Sequence, residues 1–240
     1  FVGAYTPNLP SMQTAEVRTF ASLLQSPMEL LEAERDPWWT LMAFFNNLRE
    51  LGNTLSLLQH DVPNHLSAIR IRSDDGIRRR NVWNQIELTG RLRDQEVPEA
   101  LERLNITYGS TAPRPLDVCL ASNIIEVGID IERLSLMVVV GQPKTTSQYI
   151  QVTGRVGRRW AEAPGLIVTL YGVGRPRDRS HFEKFRSYHE RLYASVEPTS
   201  VPPFAPPVLE RALHACLIGF VRQFGSPTEN QTPLPFPQEL

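Results

Sequence analysis

Cysteine is scarce in this 240-residue chain: there are two, Cys119 and Cys216, and they lack the paired spacing of a zinc site. Both fall in apolar runs, DVCLAS and LHACLIGF, so buried thiols are expected rather than a disulfide, and no metal-ligating set is read anywhere. No run of about 18 apolar residues exists to cross a bilayer. The opening FVGAYTPNLPSMQ also lacks the basic-then-apolar order of a secretory leader, so a cytoplasmic address with no membrane partner is expected. Neither G-x-x-x-x-G-K-[ST] nor D-E-x-[DH] occurs, so no loop of these residues can cradle a nucleotide's phosphates and set a hydroxyl on Mg²⁺. An excess of basic charge is missing too. The 25 Lys and Arg stand against 26 Asp and Glu, and a net charge of −1 does not by itself announce a nucleic-acid binder.

What is present supports one substantial core and a smaller appended one, with 41% of residues hydrophobic and 21% charged. Short apolar runs, TLMAFF (40–45), DVCL (117–120), LMVVV (136–140) and GLIVTLY (165–171), predict strands buried on both faces. AIRIR (68–72) alternates and predicts a further strand nearer an edge. Helical spacing lies between them: Leu48, Leu51, Leu55 and Leu58; then Ile86 to Leu104, interrupted by Pro98; then Tyr149 to Val156. Alternating strands and helices predict an α/β, doubly wound, mainly parallel sheet, and such sheets bind ligands in loops at the carboxyl ends of their strands. The positions to search follow residues 45, 121, 141 and 171.

Three segments are assigned. Residues 1–37 form a lead-in helix, from Ala15 to Gln25, and a linker. Residues 38–172 form the α/β lobe. Residues 173–240 form a helical extension with a proline-rich tail: a helix over Ser180–Ala194 with Phe182, Phe185, Tyr188 and Leu192 on one stripe, the linker EPTSVPPFAPP, and a second helix with Leu209, Leu213, Cys216 and Phe220 on its apolar face. Arginines cluster at 78–80, at 155, 158 and 159, and at 175, 177 and 179. A cluster of this kind is more often a solvated face than a binding site.

The most informative segment is QYIQVTGRVGRR (148–159), which contains Q-x-x-G-R-x-G-R as Gln151, Gly154, Arg155, Gly157 and Arg158. With roughly one residue type in twenty at each of the five positions, a chance match somewhere in the chain has a probability on the order of 10⁻⁴. Two arginines three apart on a helix share a face, where they can converge on one polyphosphate through charge-assisted bidentate bonds. This segment resembles the sixth motif of superfamily 2 helicases. LASNIIEVGIDI (120–131), with Ser122 and Gly128-Ile129-Asp130, is similar to the fifth motif, and AFFNNLRELG (43–52), with Asn46 at its tip, is similar to the fourth. The run from ASNIIEVGIDI through GQPKTT to RPRDRSHFEKFRSYHERLYASVEPTSVPPF further resembles the helicase subunits of DISARM anti-phage systems and related helicase-like proteins, over roughly Asp36 to Phe224.

The resemblance implies the second RecA-like lobe of an ATP-dependent helicase or translocase. Arg155 and Arg158 would serve as arginine fingers, with Gln151 near the γ-phosphate or its attacking water. Gly128, Asp130 and Gly154 would lie beside the nucleotide, and Ser122 and Asn46 on the nucleic-acid backbone. ATP and Mg²⁺ would be held mainly by a first lobe, in the same or a partner chain, and the strand would be DNA. Other subunits of a defence system are implied as partners. The alternative for Asp130 is a turn or cap residue, for Asn46 a strand-terminal turn, and for GQPKTT (141–146) a polar loop capping a helix at Thr146 or Ser147. Asn123 stands where many helicases carry Asp. The other function class is a non-catalytic RecA-like module that binds nucleic acid or serves as a scaffold.

Overall fold

The structure, a computed structural model, describes residues 1–72, 76–93, 95–122, 131–198 and 204–225. The strands are β1 (Val2–Tyr5), β2 (Leu41–Phe45), β3 (Gln85–Leu88), β4 (Val118–Ala121), β5 (Leu136–Val140) and β6 (Leu166–Tyr171). They form one sheet in the order β1-β6-β5-β2-β4-β3, parallel at every pairing. The helices are α1 (Met12–Gln25), α2 (Asp36–Trp39), α3 (Leu48–Gln59), α4 (Asp61–Arg72), α5 (Glu96–Asn105), α6 (Thr146–Thr153), α7 (Pro176–Glu183), α8 (Phe185–Glu190) and α9 (Pro206–Phe224). The expected doubly wound α/β sheet is present, and it is parallel throughout.

Successive strand residues point to opposite faces, so the central strands feed two cores. Met42, Phe44, Cys119, Ala121, Met137 and Val139 pack with Ala100 and Leu104 of α5 and Tyr149 and Val152 of α6. Leu41, Ala43, Phe45, Val118, Leu120, Leu136, Val138 and Val140 pack on the other face with Phe20 and Leu24 of α1, Leu51 and Leu58 of α3, and Val62 and Leu66 of α4. This double burial is why the four central runs read as unbroken apolar stretches.

The expectation for AIRIR is overturned, because residues 68–72 close α4 rather than forming a strand. Val62, Leu66 and Ile69 repeat at helical spacing against the core, while Ile71 is exposed, so the local alternation is outvoted by the longer period. β3 occupies residues read as the start of a helix, and β1 is a strand from the segment read as a lead-in. The helix expected over Ser180–Ala194 is instead α7 and α8, which meet at Lys184.

The chain forms two compact units, Phe1–Glu197 and Pro198–Leu240. α9 in the second is 19 residues long, and the Cys216 it carries is exposed rather than buried as expected. Cys119 is fully buried within β4, and burial pushes its thiol pKa up, so it behaves as an apolar side chain. Among the described residues no helix is long and apolar enough to cross a membrane.

Candidate functional site

α6 begins where Thr145, in an extended conformation, accepts the Gln148 N–H on its hydroxyl at 3.2 Å. The loop therefore does cap the helix, one residue before the position expected. Both Glu197 carboxylate oxygens accept the next N–H, that of Thr146, at 3.0 and 2.9 Å. Desolvation pushes the Glu197 carboxyl pKa up, but it is outweighed by the hydrogen bonds the carboxylate accepts there, and the net shift is downward. Thr146, Tyr149, Val152 and Thr153 face inward. The Tyr149 hydroxyl is shared between Thr169 Oγ1 at 3.1 Å and His189 Nε2 at 3.0 Å, which fixes the helix to β6 and α8.

The helix stops at Thr153, so Arg155 and Arg158 are not on a helical face as expected. Gly154 is the C-cap, donating its N–H to Ile150 O at 2.9 Å, and the chain then turns. Val156 is buried in the core. Gly157 sits in the left-handed region at φ +73°, donates to Leu134 O at 2.7 Å, and packs its backbone on Gly165. A Cβ there would stand 2.6 Å from Gly165 Cα, so only glycine fits. The left-handed step ends the turn and leaves Arg158 exposed, with Arg155 half-buried and Gln151 exposed on the last turn of α6. Arg159 pairs with Glu132 at 2.9 Å, both side chains exposed. The arginine-bearing turn thus lies near the start of β5, away from the carboxyl strand ends that the fold class nominates.

At those ends, Asn46 follows β2 and donates Nδ2 to Val140 O at 3.1 Å and to Gly141 O at 3.0 Å, tying β2 to β5. The reverse orientation of its amide would set oxygen against two carbonyl oxygens. Both amide hydrogens are therefore committed, and the remaining Oδ1 only accepts. Ser122, at the end of β4, is buried, and its N–H donates to Leu88 O at 3.1 Å, continuing the β3–β4 ladder. Its hydroxyl remains as a donor, whereas its N–H is in use. Gly128, Asp130 and Asn123 lie outside the described residues.

Three of the four loops nominated from the sequence, those after residues 45, 141 and 171, border a cleft of about 590 Å³ over the carboxyl ends of β2, β5 and β6, lined by Asn46, Asn47, Gln142, Lys144, Arg175 and Arg177 among others; sequence reasoning missed the meeting of Gln142 with Arg175 and Arg177 there. Arg175 lies over Gly141, itself at φ +78°, where a Cβ would meet its Nη1 at 2.6 Å. It also pairs with Glu50 at 2.6 Å. Buried Asp178 accepts from Gln142 N at 3.0 Å and Gly172 N at 2.7 Å, joining the ends of β5 and β6. The available signal was glycine immediately after two apolar runs, at 141 and 172.

Comparison with known proteins gives concordant results. Residues 64–159 match the helicase conserved C-terminal domain. The DISARM protein DrmA of Bacillus paralicheniformis is 42% identical over 217 residues, covering 88% of this chain and 19% of that protein. The ATP-dependent helicase Lhr-Core of Methanocaldococcus jannaschii is 38% identical over 52 residues, 21% of this chain and 6% of that protein. The chain therefore spans a fifth or less of the length of these relatives. Two solved structures share its fold: the Mycobacterium smegmatis helicase Lhr bound to ssDNA and AMP-PNP (TM-score 0.54, 17% identity, 90% of this chain and 24% of that one) and the DUF1998 helicase MrfA bound to DNA (TM-score 0.59, 16% identity, 86% and 25%).

Proposed function

Since the chain is related to the superfamily 2 helicases through the helicase conserved C-terminal domain at residues 64–159, we propose that it is the second RecA-like motor lobe of an ATP-driven helicase or translocase acting on DNA. The observation that carries this reading is the exposure of Gln151 and Arg158 around the glycine-welded turn that follows α6. A guanidinium held at the surface by a turn that tolerates no Cβ is preorganised to meet charge arriving from another body.

In this reading Arg155 and Arg158 are the arginine fingers, and Gln151 orients the γ-phosphate or its attacking water. Gly154 lets the backbone approach the nucleotide, and Gly128 and Asp130 contact it. ATP and Mg²⁺ are held mainly by a first lobe, in the same or a partner chain. ATP hydrolysis spreads charge over the transferring phosphoryl group, and a finger that meets that charge contributes about 10³ to 10⁵ in rate. Ser122 grips a backbone phosphate through its hydroxyl, while Asn46 holds the strand ends that frame the grip. Lobe closure on ATP and opening after hydrolysis tighten and loosen these grips in turn, which moves the motor along one strand. The likeness to DrmA supports a place in an anti-phage system alongside other subunits, in the cytoplasm.

Arg158→Ala in the complete two-lobe motor is expected to lower DNA-stimulated ATPase by about 10³-fold or more while DNA binding persists. The 240-residue chain alone is expected to show no such ATPase. Loss of binding with unchanged ATPase would make Arg158 a DNA contact. No change in either would support the second reading, a non-catalytic RecA-like module that binds nucleic acid or serves as a scaffold.

A further inference from the structure

The loops leaving β2, β5 and β6 run into α3, α6 and α7, whose N-caps are Asn47, Thr145 and Arg175. The starts of all three helices therefore border the cleft over those strand ends, bringing the positive ends of three helix dipoles to one place. Lys144, Arg175 and Arg177 line it against two carboxylates, Glu50 and Asp178, a balance of three positive and two negative charges. Both carboxylates hold partners, Glu50 through Oε1 on Arg175 while its Oε2 is buried without a hydrogen bond among the described residues, and Asp178 through two backbone N–H groups. Lys144 and Arg177 are exposed.

A second observation points to a ligand. Gln142 lines the cleft and is 2% exposed, and its Oε1 is buried without a hydrogen-bond donor among the described residues, while its Nε2 donates to the Tyr188 hydroxyl at 3.3 Å. An acceptor left in that state costs about 1–3 kcal/mol, which a donor arriving with a ligand would recover. The cleft is rich in amides and cations, a chemistry that suits phosphate and sugar rather than an apolar molecule.

We propose that this cleft is a second grip on the nucleic-acid backbone. Lys144 and Arg177 take consecutive phosphates of one strand, and Gln142 Oε1 accepts from a base amino group. The assignment rests on the nucleic-acid reading above and extends it to residues outside the fourth, fifth and sixth motifs. Neighbouring strands lie about 4.8 Å apart, so the line from Ser122 at β4, past Asn46 at β2, to β6 is roughly 14 Å, long enough for more than one phosphate of a strand to lie along it.

The test is fluorescence polarisation of a labelled single-stranded DNA of mixed sequence with the 240-residue chain, over a series of salt concentrations. Lys144→Ala/Arg177→Ala is expected to weaken binding about tenfold or more at low salt and to reduce the slope of log K against log salt by about 1.4, two phosphates at ~0.7 each. Arg186→Ala, at an exposed cation that does not line the cleft, should bind as the parent does. A double variant with parental affinity and slope overturns the cleft assignment alone. Absence of any binding by the parent chain overturns the nucleic-acid reading together with it.

Discussion

Arg80 and Arg158 are the same residue type in opposite circumstances. Arg80 is fully buried near the amino ends of β2 and β4, stacked 3.8 Å from the Trp39 ring, paired with Asp117 at 3.0 Å, and donating to Leu24 O and Trp39 O. Burial pushes its pKa down and Asp117 pulls it back up. Arg133 is spent in the same way on Leu104 O, Asp36 and Thr40 Oγ1. A guanidinium whose Nη1 and Nη2 are engaged by its own fold and whose Nε is buried has little to offer a ligand. Arg158, Arg177 and Lys144 sit at the surface, delivered by turns and helix starts instead of being enclosed by strands. Two of the three basic clusters in the sequence thus divide: Arg80 is a structural brace, while its neighbour in type at 158 stands outside the core.

This contrast can be broken by mutation. Arg80→Ala should destabilise the chain most, by about 3–5 kcal/mol in urea denaturation, because it strands a buried Asp117. An Arg80→Ala loss as small as that of a surface variant would erase the distinction. Gly157→Ala combines a left-handed backbone worth about 1–2 kcal/mol with a clash against Gly165 worth about 1–3, so a loss of roughly 2–5 kcal/mol is expected by the same measurement. Thr145→Ala removes the α6 cap, at about 1 kcal/mol.

The Glu197 latch on α6 should matter less and depend on pH. Its folded pKa is depressed, so its contribution is complete above the ordinary carboxylate value and disappears as pH falls through the folded value. The thermal midpoints of parent and Glu197→Gln should therefore differ at neutral pH and converge in acid; a constant gap would contradict the latch. Arg158→Ala should move stability least, within about 0.5 kcal/mol, as befits a side chain outside the core.

Much of the fold was legible from residues alone. β2, β4, β5 and β6 lie in the interior of the sheet with helices packed over them, and a strand covered on both faces must be apolar at every position, which leaves an unbroken run in the sequence. β1 and β3, four residues each at the sheet edges, leave no such trace. The sixth motif was found by spacing, but the same spacing misplaced its arginines on a helix. Gly154 and Gly157 are tolerated in a helical pattern yet end it here, and only the approach of Gly165, eight residues on in sequence, reveals why. The loops that border the cleft were nominated, but which of their side chains converge was hidden for a related reason. Asn46, Gln142 and Arg175 are far apart in the chain, and their meeting depends on strand order, which local pattern does not encode. The buried arginines were hidden among exposed ones because composition records charge and not enclosure.

α6 spans eight residues. At 1.5 Å per residue it is about 12 Å long, too short and too firmly packed at Tyr149 and Val152 to flex between its ends. Lys144 and Gln148 at one end border the cleft, and Arg155 and Arg158 leave the other. The cleft and the arginine-bearing turn are therefore held at a fixed separation by one short rigid segment anchored in the core.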